Sequence, residues 1–320
     1  MGDSNQQLNQ IATFTNRFMD NVGKVIVGRR DAVELILVAL LCEGHVLIED
    51  VPGTGKTMLA KTTAKSVSCS FQRIQCTPDL LPSDITGIHY FNQKTAEFEF
   101  RPGPIMANIL LVDEINRATP RTQSCLLECM QEQQVTVDLE TILLPRPFLL
   151  IATQNPVELE GTFPLPEAQL DRFLMKITMG YPEEDEEEAI LQRFQQENPL
   201  ASLPSVIETK ELLALQKLSR QVYVEDSVRS YLLAITRATR EHGSVELGAS
   251  PRASLNLDLA SRALAAVRGR GYVIPDDVKY LALPILGHRL IAKPEARLRK
   301  HSTEAILGEV LSNLPVPVEE

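Results

Sequence analysis

No stretch of this chain limits its fold as tightly as His45-Val46-Leu47-Ile48-Glu49-Asp50-Val51-Pro52-Gly53-Thr54-Gly55-Lys56-Thr57. Val46-Leu47-Ile48 reads as a short buried strand. Pro52-Gly53 turns the chain, and Met58-Leu59-Ala60-Lys61 opens a helix. A strand, a glycine turn and a helix N-terminus form a phosphate cradle, because successive backbone N–H groups point inward and the helix dipole adds partial positive charge. In such a cradle Lys56 reaches β- and γ-phosphates and the Thr57 hydroxyl holds Mg²⁺, with Pro52, Gly53, Thr54, Gly55 and Met58 forming the surrounding turn. One position departs from the strict pattern: Asp50 stands where such loops carry Gly. The departure puts the local turn in question more than nucleotide binding, since Gly53, Gly55, Lys56 and Thr57 all agree. Taken alone, the same five-residue turn also fits a surface loop, so a partner for it has to be found elsewhere.

Ile109-Leu110-Leu111-Val112-Asp113-Glu114 supplies that partner. An apolar run ending in two carboxylates reads as a buried parallel strand with acids at its carboxyl end, where open α/β sheets bind ligands. Asp113 is placed to hold Mg²⁺ through water, and Glu114 to polarise an attacking water as general base. Phe148-Leu149-Leu150-Ile151-Ala152-Thr153-Gln154-Asn155-Pro156 is another buried strand with a polar end. Asn155 there either positions the attacking water beside the γ-phosphate or simply forms a turn before Pro156. Ahead of the glycine turn, Val27 and Gly28 are candidates to pack on an adenine, or else plain core.

The remaining segments read as an α/β unit followed by helices. An amphipathic helix covers residues 5–23, with Leu8, Ile11, Phe14, Phe18 and Val22 on one face. Two hairpins are expected, one joining 89–91 to 97–100 across Asn92-Gln93-Lys94-Thr95 and one joining 135–139 to 141–144. Of the aromatics Tyr90, Phe91, Phe98 and Phe100, strand alternation predicts that half are core and at most two are free to grip a partner. Thr119-Pro120 and Ser250-Pro251 are helix starts, each a capping hydroxyl followed by proline. After Tyr181-Pro182 the pattern turns helical over 185–197, 209–219, 225–242, 251–268, 275–290 and 302–314. The run Glu183-Glu184-Asp185-Glu186-Glu187-Glu188 is a solvated helix start favoured by the dipole. Arg252 at a helix N-terminus gains nothing from that dipole, which fits a phosphate-sensing role or an exposed charge equally well.

Composition narrows the function. The chain has 320 residues, 44% of them hydrophobic, enough for one large or two medium cores. No apolar run approaches the ~18 residues of a membrane span, and the polar first ten residues lack a signal-peptide core, so a cytoplasmic location is expected. Cys42, Cys69, Cys76, Cys125 and Cys129 make no C-x₂-C pair, which argues against a disulfide framework or a protein-bound metal centre. A formal net charge of −10 opposes a large nucleic-acid footprint.

Five stretches taken together resemble the MoxR family of AAA+ ATPases: Asp50 to Thr57, Leu111-Val112-Asp113-Glu114-Ile115-Asn116-Arg117-Ala118, Ala152 to Pro156, Leu170-Asp171-Arg172-Phe173 and Ser250-Pro251-Arg252-Ala253. The similarity covers roughly residues 25–315. It implies a three-layer αβα P-loop core with a C-terminal all-α lid, divided as an N-terminal helix (1–24), the nucleotide-binding subdomain (25–182) and the lid (183–320). It implies ATP and Mg²⁺ as ligands, with the first two stretches as Walker A and Walker B motifs and Asn155 as sensor 1. Arg172 would be an arginine finger acting on a neighbouring subunit's ATP, and Arg252 a sensor 2 brought by the lid onto the phosphates. Arg117 is a further candidate for contact across the subunit boundary. The hairpins at 89–101 and 135–147 would be the helix-2 insert and the pre-sensor-1 hairpin. The family implies a ring, usually a hexamer, with chaperone-like action on protein partners, metal-cofactor insertion among them, often beside a von Willebrand factor A domain protein.

Two other functions compete with ATP-driven protein remodelling. A DNA motor should carry basic hairpin tips, yet residues 133–145 contain no Lys or Arg, and Lys94 and Arg101 face Glu97 and Glu99 in the other hairpin. A non-hydrolysing nucleotide switch is disfavoured by the simultaneous presence of Glu114, Asn155 and Arg172.

Overall fold

The structure is a computed structural model that describes residues 2–138, 140–156, 161–195, 198–299 and 301–317. Helices α1 (Gly2–Gly23) and α2 (Arg30–Leu41) lead into β1 (Val46–Glu49), followed by α3 (Lys56–Ser66) and β2 (Phe71–Gln75). Next come α4 (Pro82–Thr86), the hairpin β3 (Gly87–Asn92) and β4 (Glu97–Pro102), β5 (Ile109–Asp113) and α5 (Pro120–Glu132). A second hairpin, β6 (Gln134–Val137) and β7 (Glu140–Leu143), precedes β8 (Leu149–Gln154), α6 (Glu167–Leu170) and β9 (Met175–Ile177). Leu139, expected at the end of the second hairpin's first strand, and the side chain of Leu8, expected on the apolar face of α1, lie outside the described residues.

Strands β2-β5-β8-β1-β9 form one sheet in that order, all parallel. A parallel sheet must be covered on both faces, and strand alternation distributes its side chains accordingly. Val46, Ile48, Ile109, Leu111, Leu149 and Ile151 share one buried cluster with α1, α2 and α3. Leu47, Leu110, Val112, Leu150 and Ala152 share the opposite cluster with Leu126, Leu127 and Met130 of α5. Strand β1 lies between β8 and β9 while β2 sits at the far edge. The chain therefore leaves β1 in one direction and later returns to its other side. The crevice at this reversal, beyond the carboxyl ends of β1, β5 and β8, is where such sheets bind ligands.

The helical part comprises α7 (Glu184–Phe194), α8 (Thr209–Ser219), α9 (Asp226–Glu241), β10 (Val245–Leu247), α10 (Pro251–Val267), α11 (Pro275–Leu286), β11 (Ile291–Ala292), α12 (Pro294–Leu298) and α13 (Thr303–Asn313). Its Leu212, Leu257, Leu264 and Leu281 join the cluster that holds α1 and α2. An ionic clasp reinforces that junction. Fully buried Asp277 pairs with Arg270 at 2.5 Å, and Arg268 reaches from Asp277 to Glu34 of α2. Ile306, Leu307 and Val310 of α13 are buried, so the last helix closes this unit.

Two sequence expectations need correction. The helix expected over 275–290 ends at Leu286; Gly287–Arg289 tighten into a 3₁₀ turn and β11 follows. The β3–β4 hairpin is also more exposed than alternation predicts, since Tyr90, Phe91 and Phe98 all reach solvent and only Phe100 packs on the core. A two-stranded ribbon standing off the sheet has two faces and only its base to bury.

Candidate active site

The turn after β1 takes the shape its glycines permit. Gly53 and Gly55 have φ of +84° and +88°, and a Cβ at either would touch nothing, so the requirement is conformational rather than steric. Gly55 occupies the cap position of α3, which starts at Lys56 and aims its free N–H groups into the crevice. The Lys56 ammonium curls over the turn and donates to the carbonyls of Asp50 (3.0 Å) and Val51 (2.7 Å).

Asp50 explains itself here. Its carboxylate is buried and accepts three backbone N–H groups, from Val51 (2.8 Å), Met179 (2.9 Å) and Gly180 (2.8 Å). The start of the turn is thus fastened to the chain leaving β9, a task no glycine could perform.

The carboxyl ends of β5 and β8 meet through Thr153. Its hydroxyl donates to Asp113 Oδ1 (2.5 Å) and accepts from the Glu114 N–H (2.9 Å). Glu114 sits at φ +56°, a left-handed backbone uncommon outside glycine. That geometry turns its side chain toward Gln75 Nε2 (2.9 Å) and Arg117 (3.1 Å), both of which donate to the same carboxylate oxygen. Arg73 grips Asp113 Oδ2 with two nitrogens, at 2.6 and 3.2 Å. Cys76 follows directly on this strand, but burial and the two carboxylates push its thiol up to about 12, so it is no nucleophile.

A cleft of about 470 Å³ gathers these groups: Gly53, Gly55, Lys56 and Thr57 on one wall, Asp113, Glu114 and Asn155 on the other, with Pro52, Thr54 and Met58 around the turn. The donor set suits Mg²⁺·ATP: free N–H groups and the ammoniums of Lys56 and Lys61 for the phosphates, then a hydroxyl and a carboxylate for a hard cation.

Four other candidates lie apart from this cleft. Val27 and Gly28 line a neighbouring cavity of about 400 Å³ with Met19, Ile26 and Arg193. Next to Gly28, Arg29 donates to the Gly180 carbonyl at 3.1 Å while the Gly180 N–H serves Asp50. Arg172, on the turn after α6, makes no hydrogen bond or ion pair with its guanidinium among the described residues. Arg252 is half exposed beside Asp171 at 3.5 Å rather than in the cleft. Both arginines are organised by Arg289, which sequence reasoning missed. Its buried guanidinium donates to the Asp171 carboxylate and to the carbonyls of Asp171, Phe173, Leu174 and Ile285, clamping the turn that carries Arg172. Arg73 and Gln75 were missed too; polar residues two apart at the carboxyl end of a strand were the available signal.

Residues 45–175 match the ATPase family associated with various cellular activities (AAA), and residues 237–310 match the AAA lid domain. The chain is 52% identical to the uncharacterized YeaC of Bacillus subtilis, with 94% of each chain covered. It is 44% identical to Chaperone MoxR1 of Mycobacterium tuberculosis, over 94% of this chain and 82% of that one.

The chain belongs to the MoxR family of AAA+ ATPases.

A crystal structure of a candidate ATPase from Cytophaga hutchinsonii shares this MoxR-family fold, with a TM-score of 0.93, 37% identity and 99% of both chains covered. The expected fold class, a P-loop α/β core with a C-terminal helical lid, is the one found. No helix among the described residues is long and apolar enough to cross a membrane.

Proposed function

We propose that this MoxR-family chain hydrolyses ATP with Mg²⁺ as part of a ring, a hexamer in the family's usual form, and uses the cycle to remodel or mature protein partners in the cytoplasm. The observation that carries the reading is the convergence of Lys56, Thr57, Asp113, Glu114 and Asn155 on one cleft, while the guanidinium of Arg172 stands outside it. The turn's N–H groups and Lys56 orient the phosphates. Thr57, and Asp113 through water, would hold Mg²⁺, which would supply charge neutralisation for the phosphates. Glu114 takes the proton of a water aligned by Asn155, and Gln75 and Arg117 fix where that carboxylate points.

The one guanidinium lining the cleft, Arg73, is engaged on Asp113, which leaves room for a further cation at the γ-phosphate; an arginine finger is worth roughly 10³–10⁵ in rate. Supplied by a neighbour, Arg172 would complete it, so hydrolysis would require assembly and would move lid and neighbour together. A protein client is favoured over DNA because the β3–β4 hairpin exposes Phe91 and Phe98 on one face and Tyr90 on the other, while its exposed Lys94 and Arg101 are balanced by Glu97 and Glu99. The name of the Mycobacterium relative, a chaperone, supports the same direction. Metal-cofactor insertion and a von Willebrand factor A domain partner are narrower forms of this proposal.

The test is ATPase rate against protein concentration, with mass followed by light scattering, with and without ATP. Specific activity should climb as assemblies form. A flat rate from a monomer would remove Arg172 from the composite site, and binding without turnover would make the chain a nucleotide switch.

A further inference from the structure

Helix α7 is held to the rest of the molecule almost entirely by its edge: none of its residues is buried. Glu187 and Glu188 lie three and four residues after Glu184, and Leu191 lies seven after it, which puts all four on one face. All four are exposed, Leu191 to 66%. The glutamates suit a solvated face, and Leu191 stands among them as an exposed apolar side chain.

Elsewhere on the lid lies a surface with the opposite character. The groove between α9 and α10, about 520 Å³, is walled by Arg229, Arg237, Arg240 and Arg262 and floored by Leu232 and Leu233, with Leu255 standing 71% exposed at its rim. Arg229 and Arg262 have carboxylate partners in Asp226 and Asp258, and Arg240 is held by the Ala249 carbonyl. Arg237 has neither ion pair nor hydrogen bond among the described residues.

Length and position also match. From Arg229 to Arg240 the groove runs about 16 Å at 1.5 Å per residue, the length of α7 with its 11 residues. Helix α7 sits on the nucleotide side, where Glu186 approaches Arg29 to 3.9 Å and Arg29 holds Gly180, the residue that fastens Asp50. The groove sits on the Arg172 side, because α10 begins at Ser250, whose hydroxyl donates to Asp171 at 3.1 Å. An assembly that brings Arg172 of one copy to the cleft of the next brings this groove toward the next copy's α7.

We propose that the acidic, leucine-bearing face of α7 docks in the arginine-lined α9/α10 groove of the adjacent copy, as a helix-in-groove contact of the ring. The proposal rests on the ring reading above and goes further by naming the surfaces. It gives the acidic run 183–188 a partner as well as a solvated role.

The experiment measures mass against concentration for the full chain with Mg²⁺ and a non-hydrolysable ATP analogue. Glu184→Lys/Glu187→Lys/Glu188→Lys and, separately, Arg237→Glu should each raise the half-assembly concentration about tenfold or more, equivalent to ~1.4 kcal/mol. Combining the two sets in one chain should move it back toward wild type. All these positions are exposed, so far-UV circular dichroism should be unchanged. As a second measurement, a Leu191→Cys/Leu255→Cys chain should give intermolecular disulfides under mild oxidation only when nucleotide is present. Wild-type rings with variants that assemble equally well and no cross-link would overturn the docking alone. A wild type that stays monomeric with nucleotide would overturn the ring reading and the docking with it.

Discussion

Asp171 accepts the Nε–H of Arg289 at 2.8 Å and meets Arg252 at 3.5 Å, so one carboxylate joins a buried lid arginine to an exposed one. Burial lowers the pKa of the Arg289 guanidinium and the bond to Asp171 opposes that shift, the balance required of a charge kept inside a protein. The same carboxylate takes the Ser250 hydroxyl that caps α10.

Arg289→Ala should therefore cost about 3 kcal/mol of stability, the lower end for breaking a buried pair, because Asp171 retains some access to water. It also frees the carbonyls of Asp171, Phe173 and Leu174. Urea unfolding measures the first effect. Arg289→Lys should recover only part of it, since an ammonium with three donors cannot serve the five acceptors that the guanidinium reaches. A variant as stable as wild type would mean that the clamp is ornamental.

Asp50→Gly restores the residue that phosphate loops ordinarily carry, and here it should do harm. Three N–H groups lose their acceptor, at about 1–3 kcal/mol for the network. The turn should then bind nucleotide more weakly, checked by titration with a fluorescent ATP analogue. Equal affinity in Asp50→Gly would show that the turn holds its shape without the tie to β9.

His45 makes stability depend on pH. Its ring is buried, with Nε2 3.0 Å from the Met130 carbonyl and Nδ1 accepting the Leu150 N–H at 3.0 Å, an arrangement that requires the neutral ring. Burial lowers its pKa from 6.5 to about 4. The folded state thus binds the proton less well than the unfolded one. Stability is full above pH 6.5 and falls as pH drops toward 4, with a loss of about 2 kcal/mol by pH 5. Urea midpoints at pH 7 and pH 5 should differ accordingly, and His45→Gln should flatten that part of the slope.

The sheet was legible because its strands are apolar runs bounded by turn residues: 46–48, 109–112 and 149–152 announce themselves. Helix starts at Thr119 and Ser250 were legible from their caps, and each hydroxyl does accept the N–H three residues on. What stayed hidden depends on contacts between distant segments. Asp50 looked like a flaw because its partners at 179 and 180 lie on the distant segment that leaves β9. Arg289 looked like one more helical cation because nothing local reveals that the helix ends at Leu286. The hairpin aromatics were misjudged because alternation predicts burial only where a second layer covers the strand.

Arg73 should tune the requirement for Mg²⁺. Its guanidinium holds Asp113 Oδ2, the carboxylate proposed to face the cation, and is itself nearly half exposed. A half-exposed pair contributes up to about 1 kcal/mol. Arg73→Gln should therefore lower the half-saturating Mg²⁺ concentration by up to roughly fivefold, read both from turnover and from Mn²⁺ binding by electron paramagnetic resonance in the presence of nucleotide. An unchanged or higher requirement would mean that Arg73 serves the phosphates instead.

Arg172 and Arg252 flank Asp171 outside their own cleft, which makes a prediction about mixed assemblies. Arg172→Ala and Arg252→Ala should each bind ATP normally, because neither residue lines the cleft, and each should lose turnover when assembled alone. Lys56→Ala should fail in binding but keep both arginines. Mixing inactive Arg172→Ala chains with inactive Lys56→Ala chains should then restore activity, since a Lys56-competent cleft meets a neighbour with an intact Arg172. If Arg252 also acts across the boundary, the Arg252→Ala mixture recovers equally; if the lid carries it onto its own chain's phosphates, that mixture stays dead while the Arg172→Ala mixture revives. No recovery in either mixture, from chains that demonstrably co-assemble, would confine both arginines to their own subunit.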